Sequence, residues 1–394
     1  MNVVIMMNNY PLATDTWNDE EYEAINRVIR SNRFTIGPEV EKFEEEFAEY
    51  FGSKYAIMVN SGSSANLIAI SALILSDKYD LNKGDEVIVP AVSWATTYTV
   101  LHQCGLKLRF IDIDLNTFNL DLNELKKAIT ENTKAVFAVN LLGNPNDFDS
   151  LLKICNEHDL ILIEDNCESM GSKYKNKYAG TFGICGTFST FYSHHMATME
   201  GGVVLTDDDE LNDIMKSIRS HGWTRSLSEN SAFNTQKEPF YELFNFIFPG
   251  YNVRPVEMEG AIGREQLKKL DTFLEARKNN GKYFLEKFSN IKSISLQKNT
   301  DDSSFFGFPI IFKTSANREK FIKACDENNI EYRPIVAGNF TKNKVIEYFD
   351  YTIYGDLENS NILHDRGLFI GNHHFDVTNE LNEIYELIIK NIGD

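Results

Sequence analysis

Between Tyr55 and about Asp207 the sequence alternates short apolar runs with helical patterns, and this alternation constrains the fold more than any other feature. Alternation of this kind is typical of βα units built on a mainly parallel sheet. The runs are apolar at consecutive positions, so we expect helices to cover both faces of the sheet. The strand-like segments are AIMV (56–59), EVIVP (86–90), LRFIDI (108–113), AVFAVN (135–140), ILIED (161–165), FSTFYS (188–193) and GGVVLTD (201–207).

A long helical pattern from about Glu257 to Phe288 follows this array. It contains Gly260, Gly263 and Gly281, and glycine disfavours a helix interior, so we expect the helix to be broken at least once. Beyond it, segments such as FFGFPIIFK and ELNEIYELIIKNI mix strand and helix patterns. We therefore predict a large domain over residues 1–265 and a small C-terminal α+β domain over residues 266–394.

Composition excludes several classes of protein. The 394 residues carry 39 Lys+Arg and 58 Asp+Glu, a formal charge of −19, which argues against a nucleic-acid or anionic-membrane surface. The longest strongly apolar stretch, residues 65–75, is far shorter than the roughly 20 residues of a membrane span. The five cysteines are scattered without a CxxC pair, and the N-terminus lacks the basic start of a signal peptide. We expect a cytoplasmic protein with reduced thiols.

Three segments place polar or aromatic groups where predicted strands end. NSGSSAN (60–66) offers the backbone N–H groups of Gly62, Ser63 and Ser64 at a helix start, which suits a phosphate, although such a turn also serves as a plain helix cap. Trp94 could stack on a flat ligand or simply pack. Asp165 could pair with a cationic ring nitrogen, or Asp165 and Glu168 could cap the next helix.

The segment FSTFYSHHMATMEGG (188–202) carries the strongest signal. Together with GPEVEKFEEEFAEYFG, NSGSSAN, IEDNCES and GYNVRPVEMEGAIGREQLKKL, it resembles the family of sugar aminotransferases and dehydratases that use pyridoxal phosphate. The resemblance covers nearly the whole chain and keeps the order of the motifs. It implies a fold-type-I aminotransferase architecture, an α/β fold with a mostly parallel seven-stranded sheet, helices on both faces and a small C-terminal α+β domain.

The resemblance also exposes a substitution. Ser189 matches the family's phosphate-binding serine, and His194 stands where the family has a lysine. An imidazole cannot form the lysine's Schiff base, so the cofactor would be held without a covalent bond and would react as pyridoxamine phosphate, forming a ketimine with a sugar ketone. Histidine remains suited to removing a proton and then protonating a departing hydroxyl. The alternatives are that His195 has this role, or that a lysine elsewhere does the work.

The remaining roles follow from the resemblance. Asp165 would act with His194 in catalysis by holding the pyridine nitrogen protonated, with Trp94 stacked on the ring and Glu168 beside it. Gly62, Ser63, Ser64 and Ser189 would hold the phosphate, with Asn252 contributed by a partner subunit in a homodimer that shares its active sites. His195, Arg219, Arg254 and Arg333 are substrate-side candidates, since a guanidinium suits a diphosphate or a carboxylate, although an ion pair explains any one arginine equally well. A metal site at the adjacent histidines is disfavoured, because neighbouring residues on a strand point to opposite faces.

The resemblance predicts removal of the 3-hydroxyl from a nucleotide-linked 4-keto-6-deoxyhexose, with GDP as the nucleotide, hydrolytic loss of ammonia and L-glutamate as amino donor. The assignment of GDP as the nucleotide rests on the resemblance alone. After Cys185 only Cys325 remains, so we expect no iron–sulfur cluster, which usually requires a close set of four thiolates. The alternatives are a nucleotide-sugar aminotransferase, a lysine-to-histidine variant of one, and a non-catalytic nucleotide-sugar binder.

Overall fold

The computed structural model describes residues 9–227, 231–233, 239–242 and 244–393. The first eight residues, where the sequence lacks the basic start of a signal peptide, lie outside this range. The helices are α1 (Asp19–Ser31), α2 (Pro38–Phe51), α3 (Gly62–Leu75), α4 (Ala95–Gln103), α5 (Leu122–Ala128), α6 (Phe148–Glu157), α7 (Asp209–Ile218), α8 (Pro239–Glu242), α9 (Glu257–Phe288), α10 (Ser315–Glu327), α11 (Glu358–Arg366) and α12 (Thr378–Ile392). The strands are β1 (Tyr55–Val59), β2 (Glu86–Pro90), β3 (Lys107–Ile111), β4 (Thr133–Val139), β5 (Ile161–Asp165), β6 (Lys173–Tyr174), β7 (Lys177–Tyr178), β8 (Cys185–Ser189), β9 (Gly202–Thr206), β10 (Ile294–Leu296), β11 (Gly307–Phe312), β12 (Tyr332–Arg333), β13 (Tyr351–Ile353) and β14 (Gly367–Gly371).

The large sheet has eight strands in the order β1-β9-β8-β5-β4-β2-β3-β13. All neighbouring pairs from β8 to β13 are parallel, while β9 runs antiparallel to β1 and β8. Helices cover both faces, since α3 and α7 pack in one core of buried residues and α2 and α9 in another. The mostly parallel sheet is confirmed, with β13 from the C-terminal third added to the expected seven strands.

A smaller antiparallel sheet, β10-β11-β14-β12, forms the C-terminal part with α10 and α12. Its core also takes in Tyr10, whose hydroxyl donates to the carbonyl oxygen of Gly371 at 2.8 Å. The N-terminal segment is therefore attached to the C-terminal sheet, and not only to the large one.

Helix α9 links the two sheets without a break, contrary to the expectation that its glycines would interrupt it. The glycines lie where neighbours pack too closely for a side chain. A Cβ at Gly260 would lie 2.7 Å from the Cα of Val40, and one at Gly281 would lie 2.3 Å from the Phe305 ring. The predicted boundary after residue 265 falls inside this helix, so the change from one core to the other occurs along α9.

The FSTFYS prediction was wrong beyond Ser189, because the chain turns after β8 and the backbone N–H of His194 donates to the carbonyl of Phe191 at 2.9 Å. The histidine pair therefore lies in a turn. Within the described part of the chain, no helix is long and apolar enough to cross a membrane.

Candidate active site

A cavity of about 320 Å³ opens at the carboxyl edge of the large sheet. Parallel strands bring their carboxyl ends to one edge, which is where open α/β sheets bind ligands. Residues that follow β1, β2, β5 and β8 therefore meet there, and the C-terminal part closes the cavity from the other side. The lining includes Ser61, Gly62, Ser63, Asn66, Ser93, Trp94, Asp165, Cys167, Glu168, Ser189, His194, Glu200, Phe306, Arg333, Val336 and Phe369.

The first part of the cavity is the N-terminus of α3. Ser61 caps this helix, its Oγ accepting from the backbone N–H of Ser64 at 3.1 Å. A Cβ at Gly62 would lie 2.7 Å from the Cβ of Ser189, so only glycine lets these two segments approach. The helix dipole and the serine hydroxyls favour an anion at this point. Ser64 does not line the cavity, because its hydroxyl donates to Asn60 Oδ1 at 2.6 Å.

The second part is the carboxylate of Asp165, at the end of β5. Its Oδ2 accepts from Asn66 Nδ2 at 3.0 Å and from Thr97 Oγ1 at 2.7 Å, which fixes the carboxylate in a buried position. Sequence reasoning missed Asn66 and Thr97. A signal existed, since Asn66 lies four residues after Gly62 on α3 and Thr97 three residues after Trp94, so helical periodicity places them on the faces that meet the cavity.

Trp94 and Glu168 also line the cavity. Trp94 immediately precedes α4 and is 57% exposed, so its ring is not a core packing group in the single chain. Glu168 Oε2 accepts from the backbone N–H of Leu142 at 3.2 Å. Burial raises the pKa of Glu168 to about 7. A capping box with Asp165 is not formed, since Glu168 instead holds the loop that follows β4.

The structure separates the two adjacent histidines. His194 lines the cavity, and its Nδ1 is buried without a hydrogen-bond partner, so Nε2 is the nitrogen left to serve the cavity. Burial, assisted by the positive charge of Arg277, lowers the pKa of His194 to about 4. His195 lies outside the cavity, fully buried, with Nε2 at 3.2 Å from the carbonyl oxygen of Ser304. The substrate-side role expected for His195 is therefore corrected, because its ring has no access to the cavity.

The predicted arginines fall in three different places. Arg333 on β12 lines the cavity. Arg219 is 3% exposed and forms an ion pair with Glu44, while its Nη1 also donates to the carbonyl of Met58 at 2.7 Å, so it cannot reach a ligand in the cavity. The substrate-binding expectation for Arg219 is corrected on this ground. Arg254 lies over the Trp223 ring at 5.6 Å and, like the exposed Asn252, outside the cavity of its own chain.

Among the described residues, no group of three or more His, Cys, Asp and Glu side chains is arranged so that it could hold a metal ion. Sequence reasoning also missed Phe306, Val336 and Phe369, which come from the C-terminal part. Nothing local in the sequence indicates that these apolar residues meet the large sheet.

The sequence profile of the DegT/DnrJ/EryC1/StrS aminotransferase family matches residues 15–388. The chain belongs to this family. It is 54% identical over 390 residues to GDP-4-keto-6-deoxy-D-mannose 3-dehydratase of Yersinia pseudotuberculosis, covering 98% of this chain and 99% of that protein.

Solved structures of similar proteins extend the comparison within the DegT/DnrJ/EryC1/StrS family. Escherichia coli GDP-4-keto-6-deoxy-D-mannose 3-dehydratase with bound hydrated PLP matches with a TM-score of 0.94 at 52% identity, covering 97% of this chain and 100% of that one. GDP-4-keto-6-deoxymannose 3-dehydratase with a trapped PLP-glutamate geminal diamine has a TM-score of 0.94 at 51% identity, covering 96% and 100%. The family and the fold type predicted from the sequence are confirmed.

The residues of this DegT/DnrJ/EryC1/StrS cavity fit pyridoxal phosphate or its amine form. The start of α3 and Ser189 offer donors to a phosphate, and a Cβ at Gly62 would fill the gap between them. The anchored Asp165 carboxylate suits a protonated ring nitrogen, and the exposed face of Trp94 suits a flat ring. Among the described residues that line the cavity there is no lysine, and His194, whose Nδ1 has no hydrogen-bond partner, lines it instead.

Proposed function

We propose that this protein removes the 3-hydroxyl of a nucleotide-linked 4-keto-6-deoxyhexose, GDP-4-keto-6-deoxy-D-mannose, with pyridoxamine phosphate as noncovalent cofactor. One observation carries the proposal: a histidine, and no lysine of the described residues, lies in a cavity that also holds a fixed carboxylate and a helix N-terminus. The similarity over the full length to enzymes named as GDP-4-keto-6-deoxy-D-mannose 3-dehydratase supports the same reaction and the same nucleotide.

The residues that line the cavity bind different parts of the cofactor. Gly62, Ser63 and Ser189 bind the phosphate, Asp165 keeps the ring nitrogen protonated, and Trp94 stacks on the ring. Bound pyridoxamine phosphate supplies the amine that condenses with the sugar's 4-keto group and a ring that accepts the electron pair left at C4′. Glu168 lines the same cavity from the segment after β5 and contacts the ring.

His194 carries the proton through the elimination. Its neutral Nε2 accepts the C4′ proton, and the imidazolium then donates that proton to the departing 3-hydroxyl, which leaves as water. The released product loses its nitrogen as ammonia by hydrolysis. L-glutamate then returns the amino group to the cofactor, and Arg333 in the cavity offers a guanidinium for the donor's carboxylate or for the diphosphate.

The aminotransferase alternative is disfavoured because His194 stands in the cavity where the described residues provide no lysine, and an imidazole cannot release an amino sugar by exchange of imines. A non-catalytic binder is disfavoured because one cavity holds both a fixed carboxylate suited to the ring nitrogen, Asp165, and an imidazole suited to proton transfer, His194, and binding alone does not require the imidazole.

We further propose a cytoplasmic homodimer in which Asn252 completes the partner's phosphate site. Asn252 is exposed and outside its own cavity, and the chain around it exposes large apolar residues. Phe244 is 66% exposed, Phe246 53% and Val256 45%, an apolar surface of the kind that a second copy covers.

We also propose that the chain divides into domains at residues 1–265 and 266–394, with α9 shared between them.

The reaction is tested by incubating the protein with pyridoxamine phosphate, L-glutamate and GDP-, CDP- or dTDP-linked 4-keto-6-deoxyhexoses. Mass spectrometry should show a sugar product that has lost one oxygen, release of ammonia and no accumulated amino sugar. An amino sugar would favour the aminotransferase, and no turnover with any sugar would favour the binder.

The role of His194 is tested with His194→Asn, which should keep the cofactor but lose elimination by about 10²–10⁴-fold, the range of general acid–base catalysis. His158→Asn, at an exposed histidine after α6, is the control and should react normally. Loss in His195→Asn together with normal elimination in His194→Asn would transfer the role to His195.

A further inference from the structure

Arg277 lies in the middle of α9 with 4% of its surface exposed. Its guanidinium forms no ion pair with any carboxylate of the described residues, unlike the buried Arg219, which pairs with Glu44. Burial lowers the pKa of Arg277 to about 10, so it stays protonated at neutral pH. An unpaired buried charge is costly to maintain, so its presence next to a reactive site calls for a reason.

The guanidinium joins α9 to two segments of the C-terminal part. Its Nη1 donates to the carbonyl oxygens of Asn372 at 2.9 Å and Phe306 at 3.3 Å. The side-chain amide of Asn372 in turn donates to the carbonyls of Phe305 at 2.8 Å and Arg277 at 3.0 Å. This closed set of hydrogen bonds fixes the backbone on either side of Phe306.

The ring of Phe306 packs against the ring of His194. The two rings are 5.2 Å apart in an edge-to-face arrangement, and Phe306 also lies 5.7 Å from the His195 ring. Because Arg277 holds the Phe306 carbonyl, it fixes the position of the ring that orients His194 in the cavity.

The charge of Arg277 also acts on the histidines. After burial, it is the next cause that lowers the pKa of His194, and the pKa values of His195, His373 and His374 are lowered in the same way. The titratable groups on the cavity side of His194 are Asp165, Cys167, Glu168, Glu200 and Arg333. On the inner side lies His195. The groups that interact electrostatically with Arg277 on that side are His373, His374 and Tyr10.

We propose that Arg277 is a positioning residue for the elimination: through the Phe306 carbonyl it holds the ring that packs edge-to-face on His194, and its unpaired positive charge acts on the imidazole that takes the substrate's proton. This inference rests on the proposed function. The proton moves from C4′ to Nε2 of His194 and then to the 3-hydroxyl, and no other reactant is needed. An unpaired guanidinium destabilises the imidazolium, which favours both the neutral base at the start and proton release at the end.

The charge is tested by Arg277→Met against Arg277→Lys. In Arg277→Met the acid limb of the pH profile for single-turnover elimination should move up by about one pH unit, because the repulsion that disfavours the imidazolium is gone. Arg277→Lys keeps the charge, so its acid limb should stay near that of the wild type even where its rate falls. If Arg277 had a merely structural role, both variants would eliminate more slowly and the acid limb of neither pH profile would move. That result would overturn the proposal.

A second measurement needs neither activity nor the variants at position 277. In the cofactor-free wild-type protein with ring-labelled histidine, NMR should show that the His194 signal, assigned by its loss in His194→Asn, protonates well below the ordinary pKa of about 6.5. A His194 midpoint at or above that value would overturn the proposal even if Arg277→Met does not fold. Failure of the wild type to dehydrate any sugar would instead refute the proposed function and leave this titration readable.

Discussion

At the scale of single residues, the three candidate arginines look alike in sequence and differ in structure. Arg333 lines the cavity, Arg254 lies over Trp223, and Arg219 is paired with Glu44 inside the protein. Sequence identifies a cation suited to an anion, but the partner is set by long-range packing, since Glu44 lies 175 residues away from Arg219 along the chain. The distinction between ligand binding and structural pairing therefore appears only in three dimensions.

Arg219→Met should mainly reduce stability, whereas Arg333→Met should mainly weaken substrate binding. Arg219→Met should lower the free energy of unfolding by about 3–5 kcal/mol, because it leaves the Glu44 charge buried without its cation. Arg333→Met should change stability by no more than about 0.5 kcal/mol, since the side chain is exposed, but should raise the KM for the sugar or for glutamate by about tenfold. Urea unfolding measures the change in stability of each variant, and steady-state kinetics measure the change in KM. An increase in KM in stable Arg219→Met would restore its place among substrate ligands.

At the scale of elements, the buried strands were the easiest to predict. EVIVP and ILIED coincide with β2 and β5, because an apolar run bounded by polar residues leaves little choice of limits. The turn that carries His194 and the unbroken α9 could not be predicted. Local propensity favours a strand at FSTFYS and a break at each glycine, and it was overridden by the turn at Phe191 and by close packing against Val40 and Phe305.

The start of α3 gives the prediction at this scale. Ser61→Ala removes the side-chain cap and should lower the free energy of unfolding by about 1 kcal/mol. It should also weaken cofactor binding, because Ser61 lines the cavity and its cap sets the orientation of the N–H groups that receive the phosphate. Equilibrium titration with pyridoxamine phosphate, followed by absorbance, measures the loss.

Thr314→Ala is the matched control, because Thr314 caps α10 in the same way and lies outside the cavity. It should lose similar stability and bind the cofactor normally. Equal loss of cofactor affinity in both variants would mean that general destabilisation, and not the start of α3, accounts for the effect.

At the scale of the whole molecule, the site joins parts of the chain that sequence treats as separate. The large sheet supplies Asp165, Ser189 and His194, while the C-terminal part supplies Phe306 and Arg333. The shared edge of the strand ends predicted Asp165, and the family resemblance predicted Ser189 and His194. The second group depends on how α9 carries the small sheet back over that edge, which no local pattern specifies. The family resemblance pointed to Arg333 but gave no sign of Phe306 or Arg277.

The proposed sharing of sites between two copies can be tested with two defective variants. His194→Asn lacks the base and Asn252→Ala lacks the proposed phosphate contact, so each alone should be inactive at limiting cofactor. If Asn252 acts on the partner's site, a mixed dimer contains one site with both residues intact, and dimers reassembled from an equal mixture should regain about a quarter of wild-type activity. Mixing without subunit exchange should recover nothing and is the control. If Asn252 acts within its own chain, every site in the mixed dimer keeps one defect, and the absence of recovery after proven exchange would exclude the shared site while leaving His194 as the base.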